Sequence, residues 1–305
     1  MIRPTRRGAA LLLVAGVATG LAVVFGARSL GAIVVPSAVA LLAGVVQVWL
    51  TPTPTVERAV PPDGPAEREA TVTLRFAVDD PFPATVTDRL SPGVVAVDGL
   101  PTETVVGADA VRYRLRFERR GERTVGPATV RYTDVLGLVA GTTTVGGAAS
   151  VLVYPPVRTL PPALTERLRA GLAGQSRVQR DEFDGLREYV RGDALRDLNW
   201  KASAKRDDLI VTEFVGSRPA RTVTVAVGGD PEDADEMAAA AASVVAALDD
   251  VGAVVSLRTP DDEVEVGPGE RETAFEHLAT VAPGPVPDGD ATVTVEASGG
   301  EARGS

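Results

Sequence analysis

Residues 8 to 50 read GAALLLVAGVATGLAVVFGARSLGAIVVPSAVALLAGVVQVWL, and this stretch decides how the fold begins. Its first part, Gly8 to Ala27, and its second part, Leu30 to Leu50, carry no charge and are separated by two residues. Each part is close to the ~20 residues that a helix needs to cross ~30 Å of hydrocarbon. Residues 1–50 are therefore predicted to form an antiparallel transmembrane hairpin with a very short turn.

The basic residues around the hairpin predict its orientation. Three precede the first helix, two follow the second and one lies in the turn: Arg3, Arg6, Arg7, Arg58, Arg68 and Arg28. Because Arg and Lys in short loops favour the cytoplasm, both termini and the soluble domains are predicted on the cytoplasmic side of the cell membrane. A cleaved secretory signal peptide is the alternative, although its apolar core usually has only ~7–15 residues.

The composition of the 305-residue chain excludes several kinds of function. Without Cys there can be no disulfide, thiolate metal site or cysteine nucleophile, and a single His makes a His-rich metal centre a weak hypothesis. The net charge of -10 argues against a nucleic-acid partner. Only two of the 31 basic residues are Lys, which with the many acidic residues predicts a halophilic protein; a GC-rich genome is the alternative.

A β domain is predicted after the hairpin. Residues 51–66 contain five Pro and predict an extended linker. Beyond them apolar residues alternate, for example over Thr71–Phe76 and Val111–Phe117, with the period of a half-buried strand. Short strands separated by Gly and Pro predict an antiparallel β-sandwich over residues 67–154.

The last part of the chain alternates strands and helices. Residues 222–297 predict an α/β domain whose Ala-rich helix continues through Met237 to Leu248. Residues 298–305 are predicted to be a frayed tail. From Gly228 onward there are 18 acidic residues and 3 Arg, so this surface is predicted to be acidic. The fold class is thus a multidomain α+β protein.

The segment between these domains, residues 155–221, contains the densest pattern of charge. Residues 182–214 read EFDGLREYVRGDALRDLNWKASAKRDDLIVTEF. The pattern predicts a strand, a turn at Gly192, a short helix capped by Asp193 and a second strand. Asp193, Arg196 and Glu213 are predicted either to form ion pairs that hold the Trp200 segment in place or to form a functional cluster. The neighbouring basic residues Lys201, Lys205, Arg206 and Arg187 predict a cationic patch for an acidic partner or anionic lipid.

This segment resembles the signature of the domain of unknown function 58 family. The matching residues are Arg187, Tyr189, Gly192, Asp193, Arg196, Trp200, Ser203, Ala204, Leu209 and Glu213. The stretch Arg119–Pro127 resembles the hairpin that usually precedes the signature, and Asp134–Leu138 resembles the family's Asp-Pro-Phe-Gly turn. The order of membrane hairpin, β domain and α/β domain also agrees, so the resemblance covers nearly the whole chain.

The resemblance implies that residues 222–297 are similar to a von Willebrand A domain. Metal-binding domains of that kind carry an Asp-Xaa-Ser-Xaa-Ser cluster after the first strand, whose oxygens hold Mg²⁺. The corresponding Val225–Asp230 lacks the first Asp and both Ser. We therefore expect a truncated, degenerate A-like domain that binds no metal or other cofactor.

The resemblance also implies a function. Members of the family are often encoded beside MoxR-type AAA+ ATPases, so we expect a membrane-anchored, non-enzymatic adaptor that works with such an ATPase in protein assembly or maturation. The signature residues would then be structural or would dock the partner. A hydrolase-like enzyme with its site between Tyr189 and Glu213 is the alternative, and an outward-facing binding module is a third.

Overall fold

The structure, a computed structural model, describes residues 1–26, 28–162, 164–166, 168, 183–188, 210–214, 222–298 and 301–304. The chain divides into two compact units, Met1–Tyr154 and Pro155–Ser305. The first unit contains two N-terminal apolar helices and two β-sheets, and the second contains helices and two further sheets. The predicted mixed α+β class is confirmed.

Two helices of 20 residues each form where the apolar stretches predict them. Helix α1 (Arg6–Phe25) and helix α2 (Gly31–Leu50) are connected through a 3-10 turn at Arg28–Leu30. Gly26 ends α1 with φ of 65°, a left-handed conformation that glycine adopts without strain. Both helices are long and apolar enough to cross a membrane, and many of their large apolar side chains are exposed. Such exposed apolar faces suit a lipid environment better than water.

The strands of the first unit form two sheets. These strands are β1 (Ile2–Pro4), β2 (Thr55–Ala59), β3 (Gly64–Pro65), β4 (Glu69–Ala77), β5 (Phe82–Leu90), β6 (Val94–Asp98), β7 (Thr102–Val106), β8 (Val111–Phe117), β9 (Gly121–Thr133), β10 (Val139–Val145) and β11 (Ala149–Tyr154). One sheet has the order β1-β10-β9-β11-β3, with β5 pairing with β9 and β7. The other sheet has the order β2-β4-β8-β6.

The two sheets share one hydrophobic core, as the predicted sandwich requires. The predicted alternation places every second side chain of β4 and β8 inside. These buried side chains are Val72, Leu74, Phe76, Val111, Tyr113, Leu115 and Phe117. Because strand side chains alternate between the two faces, the polar residues between them face outward.

Residues 51–66 do not act as the linker that the sequence predicts. Thr55–Ala59 pairs with β4, with Thr55 opposite Ala77, and Gly64–Pro65 pairs in parallel with the end of β11. Both strands lie at sheet edges, where prolines interrupt the fewest ladder hydrogen bonds. Only residues 51–54 therefore separate α2 from the β domain.

A buried ionic network joins the two sheets across this core. The Asp88 carboxylate on β5 accepts hydrogen bonds from Arg58 Nη2 at 2.8 Å and Nε at 3.1 Å. The Tyr113 hydroxyl on β8 donates to Asp88 Oδ2 at 2.8 Å. Burial, and next the hydrogen bond to Asp88, raises the pKa of Tyr113 far above its ordinary value. No sequence pattern indicated this Arg–Asp–Tyr network.

Tyr113 should make the stability of the β domain sensitive to alkaline pH. Its pKa is higher in the folded than in the unfolded chain, so its contribution is complete below about pH 10 and is lost as the pH rises above that value. We expect the free energy of unfolding to fall by up to ~1.4 kcal/mol per pH unit there. Denaturant titrations of the full chain in detergent between pH 8 and 11 would measure this slope.

A Tyr113→Phe variant is the matched control, because it keeps the ring but cannot ionise. Its free energy of unfolding should be lower than that of the wild type at pH 8 and should fall less steeply above pH 10. Equal slopes for the two proteins would show that Tyr113 is not the group responsible.

The second unit contains a two-stranded and a five-stranded sheet among its described residues. The strands are β12 (Phe183–Glu188), β13 (Ile210–Phe214), β14 (Thr222–Gly229), β15 (Val254–Arg258), β16 (Glu263–Val266), β17 (Val293–Ser298) and β18 (Glu301–Gly304). The larger sheet has the order β16-β15-β14-β17-β18, and β14 is parallel to both β15 and β17. Helix α3 (Ala234–Asp249) and helix α4 (Arg271–Thr280) complete this α/β unit. Its likeness to a von Willebrand A domain stays a prediction.

Residues 298–305 were predicted to be a frayed tail, but four of them form a strand. Glu301–Gly304 pairs with β17 in antiparallel fashion, with Gly304 opposite Val295. Glu301–Gly304 thus adds an edge strand to the five-stranded sheet.

Candidate functional site

The most distinctive contacts of the first unit lie where the helices meet the β domain. We call this region the hairpin junction; it consists of Met1–Gly8, Gly44–Val48 of α2 and the β9–β10 turn, Asp134–Leu138. It brings together three segments that are far apart in sequence. Its geometry determines how closely the apolar helices and the β domain are coupled.

The first contact is strand β1, which precedes α1 and pairs with β10. Ile2 lies opposite Gly141 and Pro4 lies opposite Val139. The terminal ammonium of Met1 donates to the Thr142 carbonyl at 2.7 Å, and the Thr142 amide donates to the Met1 carbonyl at 3.0 Å. The residues before α1 are thus part of the β domain, and both ends of the hairpin lie on the same side.

The second contact is Thr5, which caps α1 and binds the β9–β10 turn at once. Its hydroxyl accepts a hydrogen bond from the Gly8 amide at 3.1 Å and donates to the Gly137 carbonyl at 2.6 Å. The Thr5 amide donates to the Leu138 carbonyl at 2.8 Å. An N-cap satisfies amides that the first helical turn leaves free, and here the same residue ties the helix start to the turn.

Two glycines allow the helices to approach the turn closely. A Cβ on Gly8 would stand 2.0 Å from the Leu138 carbonyl oxygen. A Cβ on Gly44 would stand 3.1 Å from the Asp134 carboxyl and 3.2 Å from a methyl group of Val139. Gly8 and Gly44 are both buried, whereas most residues of the two helices are exposed. These positions are therefore where the hairpin packs on the domain.

Asp134 is a buried carboxylate that shapes the turn. Its oxygens accept hydrogen bonds from the Val139 amide at 2.6 Å and the Leu136 amide at 3.1 Å. Gln47 Oε1 of α2 accepts the Val135 amide at 3.2 Å. Because Asp134 bonds to two amides of the turn, it acts as the internal brace of the turn.

The tip of the turn and its surroundings differ sharply in polarity. Val135 and Leu136 at the tip are exposed, whereas the nearby Arg3, Arg6 and Arg7 supply exposed positive charge. On the inner side, Tyr132 lies against Gly141, and burial raises the pKa of its hydroxyl. The hairpin junction thus exposes apolar and cationic side chains to its surroundings, while the hydrogen bonds of Asp134 hold the turn behind them.

The ten predicted signature residues fall mostly outside the described residues. This holds for Tyr189, Gly192, Asp193, Arg196, Trp200, Ser203, Ala204 and Leu209. Arg187 lies on β12 opposite Val211 of β13, and Glu213 lies on β13 opposite Gly185. Arg187 and Glu213 therefore lie two positions apart along this pair of strands. The two strands that the sequence predicts within residues 182–214 are both present.

The remaining candidates among the described residues show structural roles. No group of three or more His, Asp or Glu residues in that part of the chain is arranged to hold a metal ion. At the end of β14, a Cβ on Gly228 would stand 2.4 Å from the Val286 amide nitrogen, so close packing occupies the strand end. His277 is half-buried, with Nε2 3.1 Å from the Thr259 hydroxyl.

An exposed charged surface crosses the outer face of β4 and β8. Arg114 binds Asp98 at 2.5 Å and Glu69 at 3.0 Å, and Arg116 binds Glu69 at 3.0 Å. The hydrogen bond from Arg114 lowers the pKa of Asp98. Exposed pairs of this kind contribute little to stability, and their mutual pairing makes them an unpromising binding site.

Sequence reasoning identified the hairpin and the Asp134–Leu138 turn but not their contact. A signal for the start of the first helix was available, because Thr5 lies shortly before the apolar run that begins at Gly8 and Thr is a favoured N-cap residue. The pairing of residues 2–4 with β10 has no such signal. Its partner lies more than 130 residues away, and three residues show no period.

Comparisons with known proteins give limited information. No protein-family model matches the chain. The uncharacterized protein YeaD of Bacillus subtilis (strain 168) is 27% identical over 223 residues, which cover 68% of this chain and 56% of that protein. The chain thus matches little more than half the length of that relative.

Solved structures show only weak similarity. The PKD domain of an M14-like peptidase from Thermoplasmatales archaeon SCGC AB-540-F20 is 17% identical, with a TM-score of 0.21, over 34% of this chain and 98% of that domain. A cohesin module from a Clostridium perfringens family 33 glycoside hydrolase is 12% identical, with a TM-score of 0.23, over 34% of this chain and 98% of that module.

Proposed function

We propose that this protein is a membrane-anchored adaptor without catalytic activity of its own. Its hairpin crosses the cell membrane twice, and its β domain and C-terminal unit lie on the cytoplasmic side. The segment 155–221 presents the signature residues to a MoxR-type AAA+ ATPase in the assembly or maturation of other proteins. The C-terminal unit acts as a degenerate von Willebrand A-like domain.

The observation that carries this proposal is the pairing of β1 with β10. A cleaved signal peptide leaves the mature protein, and cleavage after α1 would remove β1 together with the Thr5 bonds to the turn. A segment that completes the sheet of the β domain is better explained as a permanent part of the protein. The coupling also favours an anchor that holds the β domain at the membrane surface.

The orientation follows from the charges near the two helix ends that face the β domain. Arg3, Arg6 and Arg7 lie at that end, and Arg28 is the single cation of the connecting turn. The excess of Arg at the domain end favours the cytoplasm. Digestion of intact cells with an added protease should leave the β domain whole, whereas digestion of lysed cells should cleave it. Cleavage in intact cells would support an outward-facing binding module instead.

The docking role predicts that anchoring and partner binding can be separated. Tagged full-length protein isolated from its native membrane should co-purify with the MoxR-type ATPase of the same organism. Arg187→Ala and Trp200→Ala should remain in the membrane fraction but retain less than about a tenth of the ATPase, since one lost anchor residue at an interface costs ~2 kcal/mol. Arg116→Ala, on the exposed face of β8, is the matched control and should bind the ATPase normally.

Two results would contradict this assignment. Normal ATPase binding by Arg187→Ala and Trp200→Ala would refute docking through residues 155–221, and their loss from the membrane would show that the two roles are not separate. Turnover of an ester or peptide substrate that is abolished by Asp193→Ala but not by Arg116→Ala would favour the hydrolase alternative.

A further inference from the structure

The β9–β10 turn carries two apolar side chains at its tip. Val135 is 85% exposed and Leu136 is 57% exposed. Isolated exposed Leu or Val residues are common on soluble proteins. This pair is different because of where it lies, beside a helix whose exposed surface is apolar.

The contacts with α2 fix the depth of the tip along that helix. The Val135 amide bonds to Gln47, and Asp134 lies against Gly44. Helix α2 ends at Leu50, so these contacts lie about 4.5 to 9 Å from its end, at 1.5 Å per residue. The tip is therefore level with the last turns of an uncharged helix, at the height of the exposed Trp49, an aromatic residue typical of the membrane interface.

The backbone of the turn is suited to surroundings that contain little water. Four amides at the turn bond within the protein: Val135 to Gln47, Leu136 and Val139 to Asp134 side-chain oxygens, and Gly137 to the Asp134 carbonyl. The carbonyls of Gly137 and Leu138 accept from Thr5. Non-helical backbone enters the membrane region only where its polar groups have such partners.

Positive charge lies on the aqueous side of the same region. Arg6 and Arg7 open α1, Arg3 belongs to β1, and all three are exposed. The guanidinium of Arg7 lies beside Gly137, just behind the tip. In an anionic leaflet the lipid phosphates lie outside the acyl chains, so the Arg side chains would meet the phosphates where the apolar tip meets the acyl chains.

We propose that Val135 and Leu136 insert into the acyl–headgroup boundary of the bilayer as a third membrane contact, in addition to α1 and α2. This inference rests on the proposed membrane hairpin. The insertion fixes the tilt of the β domain relative to the leaflet. The hydrogen bonds of Asp134 and Thr5 hold the turn in place, so it cannot move separately from the β domain and α1. The occupant of this surface is lipid, not a protein partner.

Depth measurements with a fluorescent label test the insertion in the full chain. Because the protein has no Cys, Leu136→Cys provides a single site for the polarity-sensitive fluorophore NBD. The protein is reconstituted into phosphatidylglycerol and phosphatidylcholine vesicles that contain nitroxide lipids with a shallow or a deep quencher. We expect blue-shifted emission and several-fold stronger quenching by the shallow than by the deep quencher.

Two control sites make the result specific. Val95→Cys labels another exposed apolar residue, on β6 opposite Arg116. Arg116 in turn pairs with Glu69, at one end of β4. Thr55, which is next to the hairpin, pairs with Ala77 at the other end of β4. The length of β4 from Glu69 to Ala77 therefore places Val95 roughly 26 Å further from the helices, at ~3.3 Å per strand residue. Its label should show no lipid quenching. Leu42→Cys, exposed in the middle of α2, should be quenched most by the deep nitroxide.

Each alternative outcome identifies what has failed. If Leu42 is quenched but Leu136 behaves like Val95, the insertion is refuted and the hairpin stands. If neither Leu42 nor Leu136 is quenched, the membrane hairpin itself is refuted. If the Leu136 label is blue-shifted and shielded from aqueous iodide but not quenched by lipid nitroxides, the tip contacts protein, either a second copy or a partner, and the proposal is wrong.

Discussion

Replacing Gly8 by Ala should separate α1 from the β9–β10 turn and strongly destabilise the first unit. The new Cβ would stand 2.0 Å from the Leu138 carbonyl oxygen and 2.9 Å from its carbon, and both are backbone atoms. No side-chain rotation can relieve this contact. The helix or the turn must move by more than about 1 Å, in an interior that is packed as tightly as a crystal.

The displacement should also break hydrogen bonds that depend on the same approach. The Leu138 carbonyl accepts from the Thr5 amide, and the Gly137 carbonyl accepts from the Thr5 hydroxyl. Overpacking in protein cores costs about 1–3 kcal/mol, and the loss of an N-cap costs about 1 kcal/mol more. We expect Gly8→Ala to lower the free energy of unfolding by about 3 kcal/mol.

Two other glycines of α1 provide matched controls. A Cβ on Gly16 or Gly20 would meet no atom within 4 Å. Gly16→Ala and Gly20→Ala should therefore be neutral or slightly stabilising, by up to ~1 kcal/mol, because Ala favours a helix over Gly. Denaturant unfolding of the full chain in nanodiscs, with proteolysis at the turn as a second readout, would compare the variants. Equal stability of Gly8→Ala and Gly16→Ala would show that the close approach at Leu138 does not exist.

The elements that were predicted correctly are those whose signal is local. Two uncharged stretches of about 20 residues predict α1 and α2, and alternation predicts β4 and β8. The Ala-rich run beyond Asp230 similarly predicts α3, although the helix begins at Ala234 after a 3-10 turn at Pro231–Asp233. In each case the pattern extends over several turns or strand positions within one segment.

The elements that were missed depend on partners distant in sequence. Strand β1 has three residues, and β2 and β18 are edge strands, so each is defined by the strand it joins. The Pro-rich composition of residues 51–66 favours an extended chain but does not specify whether that chain pairs. The hairpin junction could therefore be predicted as its separate parts but not as a contact. Most of the signature segment lies outside the described residues, so its role stays a prediction.

The buried Arg58–Asp88–Tyr113 network was missed for the same reason, and it leads to the second large effect. Asp88→Ala should destabilise the β domain by about 3–5 kcal/mol, because it leaves the buried Arg58 charge without its carboxylate partner. The side chain of Arg58 is 6% exposed and that of Asp88 is 0% exposed. The Tyr113 hydroxyl would lose its acceptor in the same core. Denaturant unfolding of the full chain, followed by circular dichroism, would measure the change.

Glu69→Ala is the control for the loss of a carboxylate. Glu69 binds Arg114 and Arg116 at the surface, where its side chain is 39% exposed. Exposed ion pairs contribute about 0–1 kcal/mol, so this variant should be at least about 2 kcal/mol more stable than Asp88→Ala. If the two variants lose equal stability, Asp88 is not a buried charge partner of Arg58.

A triple replacement separates the value of the network from the cost of breaking it. Arg58→Met, Asp88→Leu and Tyr113→Phe together remove every charge and hydroxyl while keeping most of the volume. Buried ion pairs can often be replaced by apolar residues without loss, so this variant should regain most of the stability lost in Asp88→Ala. In that case the network mainly specifies which strands of the two sheets face each other, since Arg58 on β2 must meet Asp88 on β5. Stability as low as that of Asp88→Ala would instead mean that the charges themselves hold the sheets together.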